Sequence, residues 1–269
     1  MINDQKTMTN YRELVKTLQK FNIPVGYPII VHTSPSFLDK IEGGANTLLG
    51  ALISVYDSIL TPAFTYQTMV IPKEGPENNG LDYDNPPKSS QNAVFFSPDL
   101  PTNATLGELA EVMRVHPHAE RSRHPILSFT GLHVEDILQS QTLSRPLEPI
   151  KILVDQGGWV LLLGVDQTAN VSIHHAEQLA GRKQFIRWAL TPAGVKECPN
   201  FPGCSQGFNV LVPLLRNLIR EEIFDSILIT ATPLQAMIPI AQKLIREDPT
   251  TLLCDDGKCA RCRAIRREA

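Results

Sequence analysis

The sequence has no long hydrophobic run and no strong excess of either charge. Its apolar stretches all fall short of the roughly 18 residues that span a bilayer, so no transmembrane helix is predicted. Twenty-five basic residues against 28 acidic ones give a net charge of −3, which does not indicate a nucleic-acid partner. Residues 1–6 are polar and contain no apolar segment, so we predict no secretory signal. We therefore expect neither a membrane nor a nucleic acid as partner, while the oligomeric state stays open.

The chain contains few cysteines, and their number is odd. Five cysteines in 269 residues predict reduced thiols and a cytoplasmic location, because an extracellular disulfide framework would use paired cysteines. Apolar residues make up 42% of the chain, which is enough to bury a sizeable core in one large domain or two small ones.

Residues 161–177 join a buried strand to a histidine-rich turn. The apolar run stops at Gly164, gives way to short polar residues, and reaches the start of a predicted helix at His174. His174 and Glu177 are three residues apart and share a helical face, so imidazole and carboxylate are able to act together. The same pattern also fits a surface helix whose histidines merely titrate.

The remaining periodicity predicts an α/β layered fold with a mixed central sheet, because strands and helices intermix without strict alternation. Thr9 is predicted to cap a first helix, Gly43-Gly44 to precede a helix with Ile53 facing inward, and Thr105 with Glu108 to form a capping box. Residues 65–104 form a long loop without clear periodicity. Strands are predicted at 29–31, 58–61, 127–132, 159–165, 185–190 and 226–230, and helices at 174–180, 207–222 and 233–247.

A second candidate site lies near the N-terminus. His32-Thr33-Ser34 follows a predicted strand, and Gly43-Gly44 precedes a predicted helix. Glycines let backbone N–H groups approach a phosphate, and the positive end of the helix dipole favours its negative charge. Taken alone, a Gly-Gly pair before a helix is more often a turn than a phosphate site.

Several motifs occur together in a specific order. They are HTSPS (32–36), GGA (43–45), LGELAE (106–111), RSRHPILSF (121–129) and the LLLG…SIHHAE segment within 161–177. In order and spacing, from about Tyr11 to Ala241, they resemble the aminoglycoside 3-N-acetyltransferase family. The Gln/Arg-x-x-Gly-x-Gly/Ala pyrophosphate loop of another acetyltransferase family is not found. The resemblance thus implies the layered fold of the aminoglycoside enzymes, not the GNAT type.

The resemblance implies acetyl-coenzyme A as the cofactor, because the family uses these segments to hold coenzyme A. The residues carried over to that role are His32, Thr33, Ser34, Ser36, Gly43, Gly44, Ala45, Arg121 and Ser122. Without the resemblance, Arg121 would be interpreted as a surface salt bridge worth at most about 1 kcal/mol.

The resemblance also implies the catalytic residues. His174 aligns with the family's catalytic histidine, and a histidine suits the removal of a proton from an attacking amine. His175 stands where the family usually has an apolar or aromatic residue, so we expect a structural role for it. Either Glu177 or Glu111 is expected to orient the imidazole or to bind the acceptor.

The expected acceptor is a small-molecule amine, an aminoglycoside in the family. A binding pocket for a polycationic aminoglycoside is expected to present carboxylates and aromatic faces. The candidates in the long loop are Tyr66, Asp82, Tyr83, Asp84 and Asp99. Loop acids are usually only solvated. Residues 197–201 carry fewer acids than the family's acidic run, which leaves open an acyltransferase acting on a non-antibiotic amine, an acyl-coenzyme A hydrolase, or a non-catalytic coenzyme A- or metal-binding relative.

The C-terminal residues lie outside the family motifs. We expect residues 1–250 to form a single acetyltransferase domain, with 65–104 on the acceptor side, followed by a charged, mobile tail at 251–269. Cys254, Cys259 and Cys262 have a C-x4-C-x2-C spacing that would supply three zinc ligands, with Cys198, Cys204 or a histidine as the fourth. Free thiols are the alternative.

Overall fold

The structure is a computed structural model that describes residues 8–84 and 92–269. The polar residues 1–6 and residues 85–91 of the predicted long loop lie outside the described residues. Across the two described ranges, no helix is both long enough and apolar enough to cross a bilayer.

Strands and helices alternate irregularly along the chain. The strands are β1 (Ile29–Thr33), β2 (Ile59–Pro62), β3 (Met69–Val70), β4 (Glu120–Arg121), β5 (Phe129–Leu132), β6 (Trp159–Leu163), β7 (Phe185–Thr191), β8 (Gly194–Phe201), β9 (Arg220–Phe224) and β10 (Ile227–Pro233). The helices are α1 (Tyr11–Gln19), α2 (Pro35–Leu38), α3 (Gly44–Val55), α4 (Glu108–Val115), α5 (Glu135–Gln139), α6 (Glu148–Asp155), α7 (Ile173–Leu179), α8 (Val212–Leu215), α9 (Leu234–Glu247) and α10 (Ala260–Arg266).

A seven-stranded mixed sheet forms the centre of the molecule, in the order β4-β5-β2-β1-β6-β10-β9. Its middle strands, β2, β1 and β6, run parallel to one another. On both sides of them, each further strand pairs antiparallel with its inner neighbour. A smaller antiparallel sheet contains β3, β7 and β8. The predicted α/β fold with a mixed central sheet is confirmed.

Side chains of the central strands alternate between two hydrophobic clusters, as the pleat of a strand requires. Ile29 and Val31 of β1 pack with α1 and α3 on one face, whereas Ile30 packs into the cluster on the other face with α6, α7 and α9. Leu161 and Leu162 of β6 divide between the faces in the same way. Both faces are covered, which explains why these strands are continuously apolar.

Three local predictions about helix starts and faces are wrong. Asn10 rather than Thr9 caps α1, because its side chain accepts the backbone N–H groups of two first-turn residues and Glu13 bonds back to it. Gly107, with φ +80°, begins α4, and Thr105 belongs to the preceding 3₁₀ turn. Ile53 of α3 is 41% exposed rather than directed into the core.

The helix predicted at 207–222 is also wrong. A 3₁₀ turn at Phe208–Leu211 leads into the short helix α8, and the chain then enters β9, which pairs with β10. The tail predicted to be mobile instead folds back, and residues such as Leu252, Cys262 and Ile265 are buried in the same hydrophobic cluster as α7 and α9.

Candidate active site

The carboxyl ends of β1 and β6 meet at one edge of the main sheet. Thr33 lies opposite Leu163, and the backbone N–H of Ser34 donates to the Leu163 carbonyl across 3.0 Å. Gly164 then turns with φ +73°, and a Cβ at this position would lie 2.5 Å from Ser34 Oγ. Only glycine fits here, since both the backbone angle and the close approach exclude a side chain. Ligands of α/β sheets bind at such strand ends.

A cleft of about 140 Å³ opens at this edge. It is lined by Val31, His32, Thr33, Thr61, Pro62, Thr105, Leu106, Leu109, Ala110, Val165 and Ala169. Two of its buried polar atoms, His32 Nε2 and Thr33 Oγ1, make no hydrogen bond to any part of the chain that the structure describes. Burial lowers the pKa of His32 to about 4, so its ring is neutral at pH 7. Buried polar atoms normally have partners, and these two are free to bond to a ligand.

Ser34 and Ser36, two predicted coenzyme residues, shape the backbone after β1. Ser34 Oγ accepts the backbone N–H of Phe37 and lies 2.9 Å from Ser36 Oγ. Ser34 is therefore the N-cap of α2, and its hydroxyl is already engaged with the protein.

Gly43, Gly44 and Ala45 form the entry to α3. Gly43 has φ +80° and Gly44 has φ +57°, both in the left-handed region that favours glycine. A Cβ on Gly43 would lie 2.4 Å from Thr47 Oγ1, whereas a Cβ on Gly44 would meet no atom within 4 Å. Ala45 is buried in the core. Gly44 is thus the member of this pair with open space beside it.

Arg121 is held almost entirely by the protein itself. Its Nε donates to Ser128 Oγ, its Nη1 to the carbonyls of Pro98 and Leu100, and its Nη2 to the carbonyl of Ala63. Four of the five guanidinium N–H donors are therefore used to connect β2, β5 and the end of the long loop. The surface salt bridge considered from the sequence is not what this side chain forms.

Ser122 is buried beside Arg121 and is also engaged internally. Its hydroxyl accepts the backbone N–H of Phe129 and donates to Gln141 Oε1 across 2.5 Å. His124 in the same motif accepts the backbone N–H groups of Ile126 and Leu127 through Nδ1. The RSRHPILSF motif thus builds a tightly bonded turn next to the strand ends.

The predicted pair of His174 and Glu177 on α7 forms a buried triad with Arg182, which follows that helix. His174 Nδ1 lies 2.6 Å from Glu177 Oε2, and Glu177 Oε1 accepts from Arg182 Nη1 across 2.7 Å. Phe208 packs the edge of its ring against the imidazole, with 4.9 Å between ring centroids. The side chains of His174, Glu177 and Arg182 are less than a tenth exposed. The surface-helix interpretation of these histidines is therefore wrong.

The electrostatics of the triad fix the imidazole tautomer. Burial raises the pKa of Glu177, but the positive charges and hydrogen bonds of His174 and Arg182 outweigh this and leave the pKa below its usual value. An ionised carboxylate only accepts hydrogen bonds, so Nδ1 of His174 must carry the proton that it shares with Glu177. When the ring is neutral, Nε2 therefore carries the lone pair, and it bonds to no described residue. This arrangement is that of a general base.

Arg182, which the sequence analysis missed, connects Glu177 to the C-terminal segment. Gly181, with φ +79°, ends α7, and the backbone N–H of Arg182 returns to the Glu177 carbonyl. The guanidinium Nη2 donates to the carbonyls of Pro249 and Thr251 at 2.9 and 2.5 Å. In the sequence, the only local signal for this role of Arg182 was the Gly-Arg pair directly after the end of the predicted helix.

Glu111 and His175 take different partners from the triad. Glu111 accepts both guanidinium contacts of Arg114 and the backbone N–H of Thr102, and these bonds help to lower its pKa. His175 lines a separate cleft with Glu148, and burial lowers its pKa. Of the two carboxylates considered from the sequence, Glu177 is the one that contacts His174.

The predicted acceptor residues lie in different surroundings. Burial raises the pKa of Tyr66 to about 12, and its ring packs 5.8 Å from that of Phe64, measured between centroids. Asp99 is exposed and faces the guanidinium groups of α4 and β4. Asp82 accepts the backbone N–H of Asp84, and Tyr83 lines a groove against α10. Asp99 is thus on the side of Arg121, whereas the 82–84 segment lies beside the C-terminal helix.

Four cysteines meet in one place. The sulfur atoms of Cys204, Cys254, Cys259 and Cys262 all lie within 4.8 Å of one another, and Cys259 is the only one of the four that is not fully buried. The structure therefore selects Cys204 among the candidates for the fourth position. Cys198 is buried elsewhere, and burial raises its pKa to about 12.

The chain is similar to known proteins. The chain is 28% identical over 180 residues to the SPbeta prophage-derived aminoglycoside N(3')-acetyltransferase-like protein YokD of Bacillus subtilis (strain 168), covering 62% of this chain and 64% of that protein. It is 30% identical over 179 residues to aminoglycoside N(3)-acetyltransferase IX of Micromonospora chalcea, covering 61% of this chain and 60% of that protein. The chain thus spans less than two thirds of the length of these relatives.

Solved structures share the fold. The apoenzyme of aminoglycoside acetyltransferase AAC(3)-IVa superposes with a TM-score of 0.78 at 22% identity, covering 97% of this chain and 98% of that one. A mutant of the same enzyme has been solved in complex with a gentamicin. AAC-IIIb, solved as a binary complex with CoASH, superposes with a TM-score of 0.71 at 21% identity, covering 89% and 97%.

The sequence profile described as aminoglycoside 3-N-acetyltransferase matches residues 30–197, which is more than half of the chain and includes most of β1 and the His174 triad. The chain belongs to the aminoglycoside 3-N-acetyltransferase family.

Proposed function

We propose that this protein transfers the acetyl group of acetyl-coenzyme A to the 3-amino group of an aminoglycoside. The observation that carries the proposal is the buried His174–Glu177 pair, in which Nδ1 is bound to a carboxylate and Nε2 is left free. Family membership supplies the reaction class, and the pair supplies the group that the reaction needs.

His174 acts as the general base in this proposal. An ammonium group is not nucleophilic, so the acceptor amine must lose a proton before or during its attack on the thioester. Nε2 of His174 takes that proton, and the ionised Glu177 stabilises the imidazolium that results. The amine nitrogen forms a bond to the acetyl carbon, the carbon–sulfur bond of the thioester breaks, and coenzyme A leaves as a thiolate that takes up the proton. Arg182 holds Glu177 in the required orientation and in its ionised form.

The strand-end cleft is the proposed site for the acetyl-pantetheine end of acetyl-coenzyme A. This cofactor supplies an acetyl thioester with polar pantetheine amides, and His32 Nε2 and Thr33 Oγ1 are buried there without a partner from the described chain. Gly44 and the backbone around Ser34, Ser36, Gly43 and Ala45 would line its path. Because Arg121 and Ser122 are engaged in internal hydrogen bonds, we propose that they support the cofactor site by fixing its wall.

The proposed acceptor is an aminoglycoside, since the related AAC(3)-IVa has been solved with a gentamicin. Among the residues predicted from the sequence, we place Asp99 and Tyr66 nearest to the acceptor. Asp99 faces Arg121, and Tyr66 packs on Phe64, which follows the Ala63 carbonyl that Arg121 binds. Asp82 and Asp84 are retained as further candidates. A non-antibiotic amine is the second candidate, because residues 197–201 hold few acids.

The transfer is direct in this proposal, without an acetylated protein. Burial raises the pKa of Cys198 to about 12, which disfavours its thiolate, and Cys204 is enclosed by three other thiols. Mass spectrometry of enzyme quenched after mixing with acetyl-coenzyme A alone should show unmodified chain. A stoichiometric acetyl adduct that is passed on to the amine would overturn direct transfer.

We also propose that the tail cysteines Cys254, Cys259 and Cys262 bind a zinc ion, because thiolates are suitable ligands for this metal and the three sulfurs lie together. A cytoplasmic location is part of the same proposal, since none of the five cysteines forms a disulfide in the structure.

Thiol release from acetyl-coenzyme A tests the reaction, measured with and without a panel of aminoglycosides. Release that depends on an aminoglycoside supports the proposal. Release without any amine would identify an acyl-coenzyme A hydrolase, release only with other amines the second candidate, and no release a non-catalytic relative.

A further inference from the structure

The four-cysteine cluster has the dimensions of a closed metal site. Zinc–sulfur bonds of about 2.3 Å in a tetrahedron place the sulfurs about 3.8 Å apart. The four sulfurs here are all within 4.8 Å of one another, and those of Cys254 and Cys262 are 3.4 Å apart. Small shifts of the side chains, which widen this pair slightly and draw in any wider ones, complete the tetrahedron around one ion. The separation between Cys254 and Cys262 is far longer than a disulfide bond of about 2.05 Å.

The cluster joins two distant parts of the chain. Cys204 lies in the loop after β8, whereas Cys254 and Cys259 precede α10 and Cys262 lies within it. The loop and the tail are in close contact, because a Cβ on Gly207 would lie 2.5 Å from the carbonyl oxygens of Leu252 and Leu253. Arg261 donates to the Gly203 carbonyl and Arg266 to the Cys254 carbonyl. These two cations would offset the net negative charge of a zinc ion bound by four thiolates.

The same two segments enclose the carboxylate that holds His174. A Cβ on Gly203, the neighbour of Cys204, would lie 3.8 Å from both oxygens of Glu177 and 3.5 Å from Cδ1 of Ile265 in α10. From the other side, Arg182 binds Glu177 and donates to the carbonyl of Thr251, three residues before Cys254. Glu177 is therefore packed between the loop of Cys204 and the segment that leads to Cys254.

We propose that Cys204, Cys254, Cys259 and Cys262 bind one zinc ion, and that this ion positions Glu177 and Arg182 against His174. The metal connects the loop on one side of Glu177 to the tail segment on the other. Its ligands are four protein thiolates with no open position, so it takes no part in the chemistry of the acetyl transfer. The positioning role rests on the proposed function of His174, whereas the metal site does not.

Metal content tests the site in the full-length protein. Elemental analysis should give about one zinc per chain, and Cys204→Ser and Cys262→Ser should lose it. Cys198→Ser is the matched control, because that thiol is buried outside the cluster, and it should keep the metal. If the protein is purified without metal, titration with Co²⁺ should produce the spectrum of a tetrahedral tetrathiolate complex. Failure to take up either ion, disulfides between these cysteines, or full zinc in Cys204→Ser would each overturn the site.

The positioning role is tested on wild-type protein, so that misfolding of a variant cannot decide the result. After zinc is removed by a chelator and restored, the NMR signal of the His174 Nδ1 proton, assigned with His174→Gln, should shift and then return. In the same samples kcat should fall about 10-fold to 100-fold while KM for acetyl-coenzyme A stays within twofold. An unchanged Nδ1 signal in metal-free, folded protein would overturn the positioning role. The NMR and metal measurements need no turnover, so they remain decisive even if the proposed reaction fails.

Discussion

His174 Nδ1 and Glu177 Oε2 lie 2.6 Å apart on consecutive turns of α7, and neither side chain is more than a tenth exposed. A charged carboxylate in such a buried place needs compensation, which Arg182 provides through the other oxygen. The consequence is a single imidazole tautomer with Nε2 available as a base. A hydrogen bond between residues three apart, followed by a glycine turn and an arginine, thus supports the role of proton acceptor that we propose for His174.

Replacing His174 tests that acceptor. His174→Gln should lower kcat about 10²-fold to 10⁴-fold, the usual contribution of a general base, while acetyl-coenzyme A still binds in a calorimetric titration. His175→Gln is the matched control, because the neighbouring histidine faces a separate cleft, and it should keep kcat within a few-fold. Equal losses in the two variants would show that the base has been misassigned.

Removing the carboxylate should destabilise the fold as well as the reaction. Glu177→Gln leaves the buried charge of Arg182 uncompensated, so the free energy of unfolding should fall by about 3–5 kcal/mol in denaturant titrations. Adding Arg182→Met to that variant should recover part of the loss, since the unpaired charge is then absent. Glu111→Gln is the comparison for a partly exposed pair and should cost less than about 1 kcal/mol. Equal costs for the two glutamates would contradict the buried-pair interpretation.

Acid should destabilise the protein through its buried histidines. Burial lowers the pKa of His32 and of His124 from 6.5 to about 4. Between these two pH values the unfolded chain therefore binds protons at both histidines, whereas the folded chain does not. The stabilisation by the neutral rings is complete above pH 6.5 and is lost as the pH falls toward 4, about 3 kcal/mol for each histidine.

The variant His124→Asn isolates one of these contributions. Asparagine keeps an acceptor for the backbone N–H groups but does not titrate, so its unfolding free energy should change by about 3 kcal/mol less between pH 7 and pH 4. The exposed His118→Gln serves as control and should follow the wild type. A His124→Asn protein with the full pH dependence would refute the assignment.

Replacing Arg121 tests whether its side chain stabilises the fold or contacts the cofactor. Arg121→Lys retains the charge but loses the fork that reaches three carbonyls and Ser128, so stability should fall by about 2 kcal/mol. Affinity for acetyl-coenzyme A should stay within about threefold, because these donors face the protein. Arg123→Lys, on an exposed neighbour, should change neither quantity. Preserved stability with a large loss of affinity would instead assign Arg121 to the cofactor.

Local sequence signals predicted the central strands and helix α7. The predictions of β1 and β6 were based on apolar runs, and that of α7 on a three-residue spacing. Both signals are visible within a single element. The helix predicted at 207–222 failed because its C-terminal part pairs with β10, and pairing partners do not appear in a single segment. Arg182 was missed because it reaches Glu177 through a turn rather than along a helix face.

The cysteine cluster shows the same limit at longer range. The spacing of the tail cysteines predicted three ligands, but only the folded chain could bring Cys204 to them from a loop about 50 residues earlier. The packing of that loop against Glu177 had no signal in the sequence at all.

The chemical structure of the reaction product tests the proposed transfer and its base together. Wild-type protein should be incubated with acetyl-coenzyme A and gentamicin, and the product analysed by mass spectrometry and NMR. We predict a single acetyl group on the 3-amino nitrogen, with product formation falling in His174→Gln as its kcat does. Unmodified gentamicin, or acetylated product formed equally fast by His174→Gln, would contradict acetyl transfer with His174 as the base.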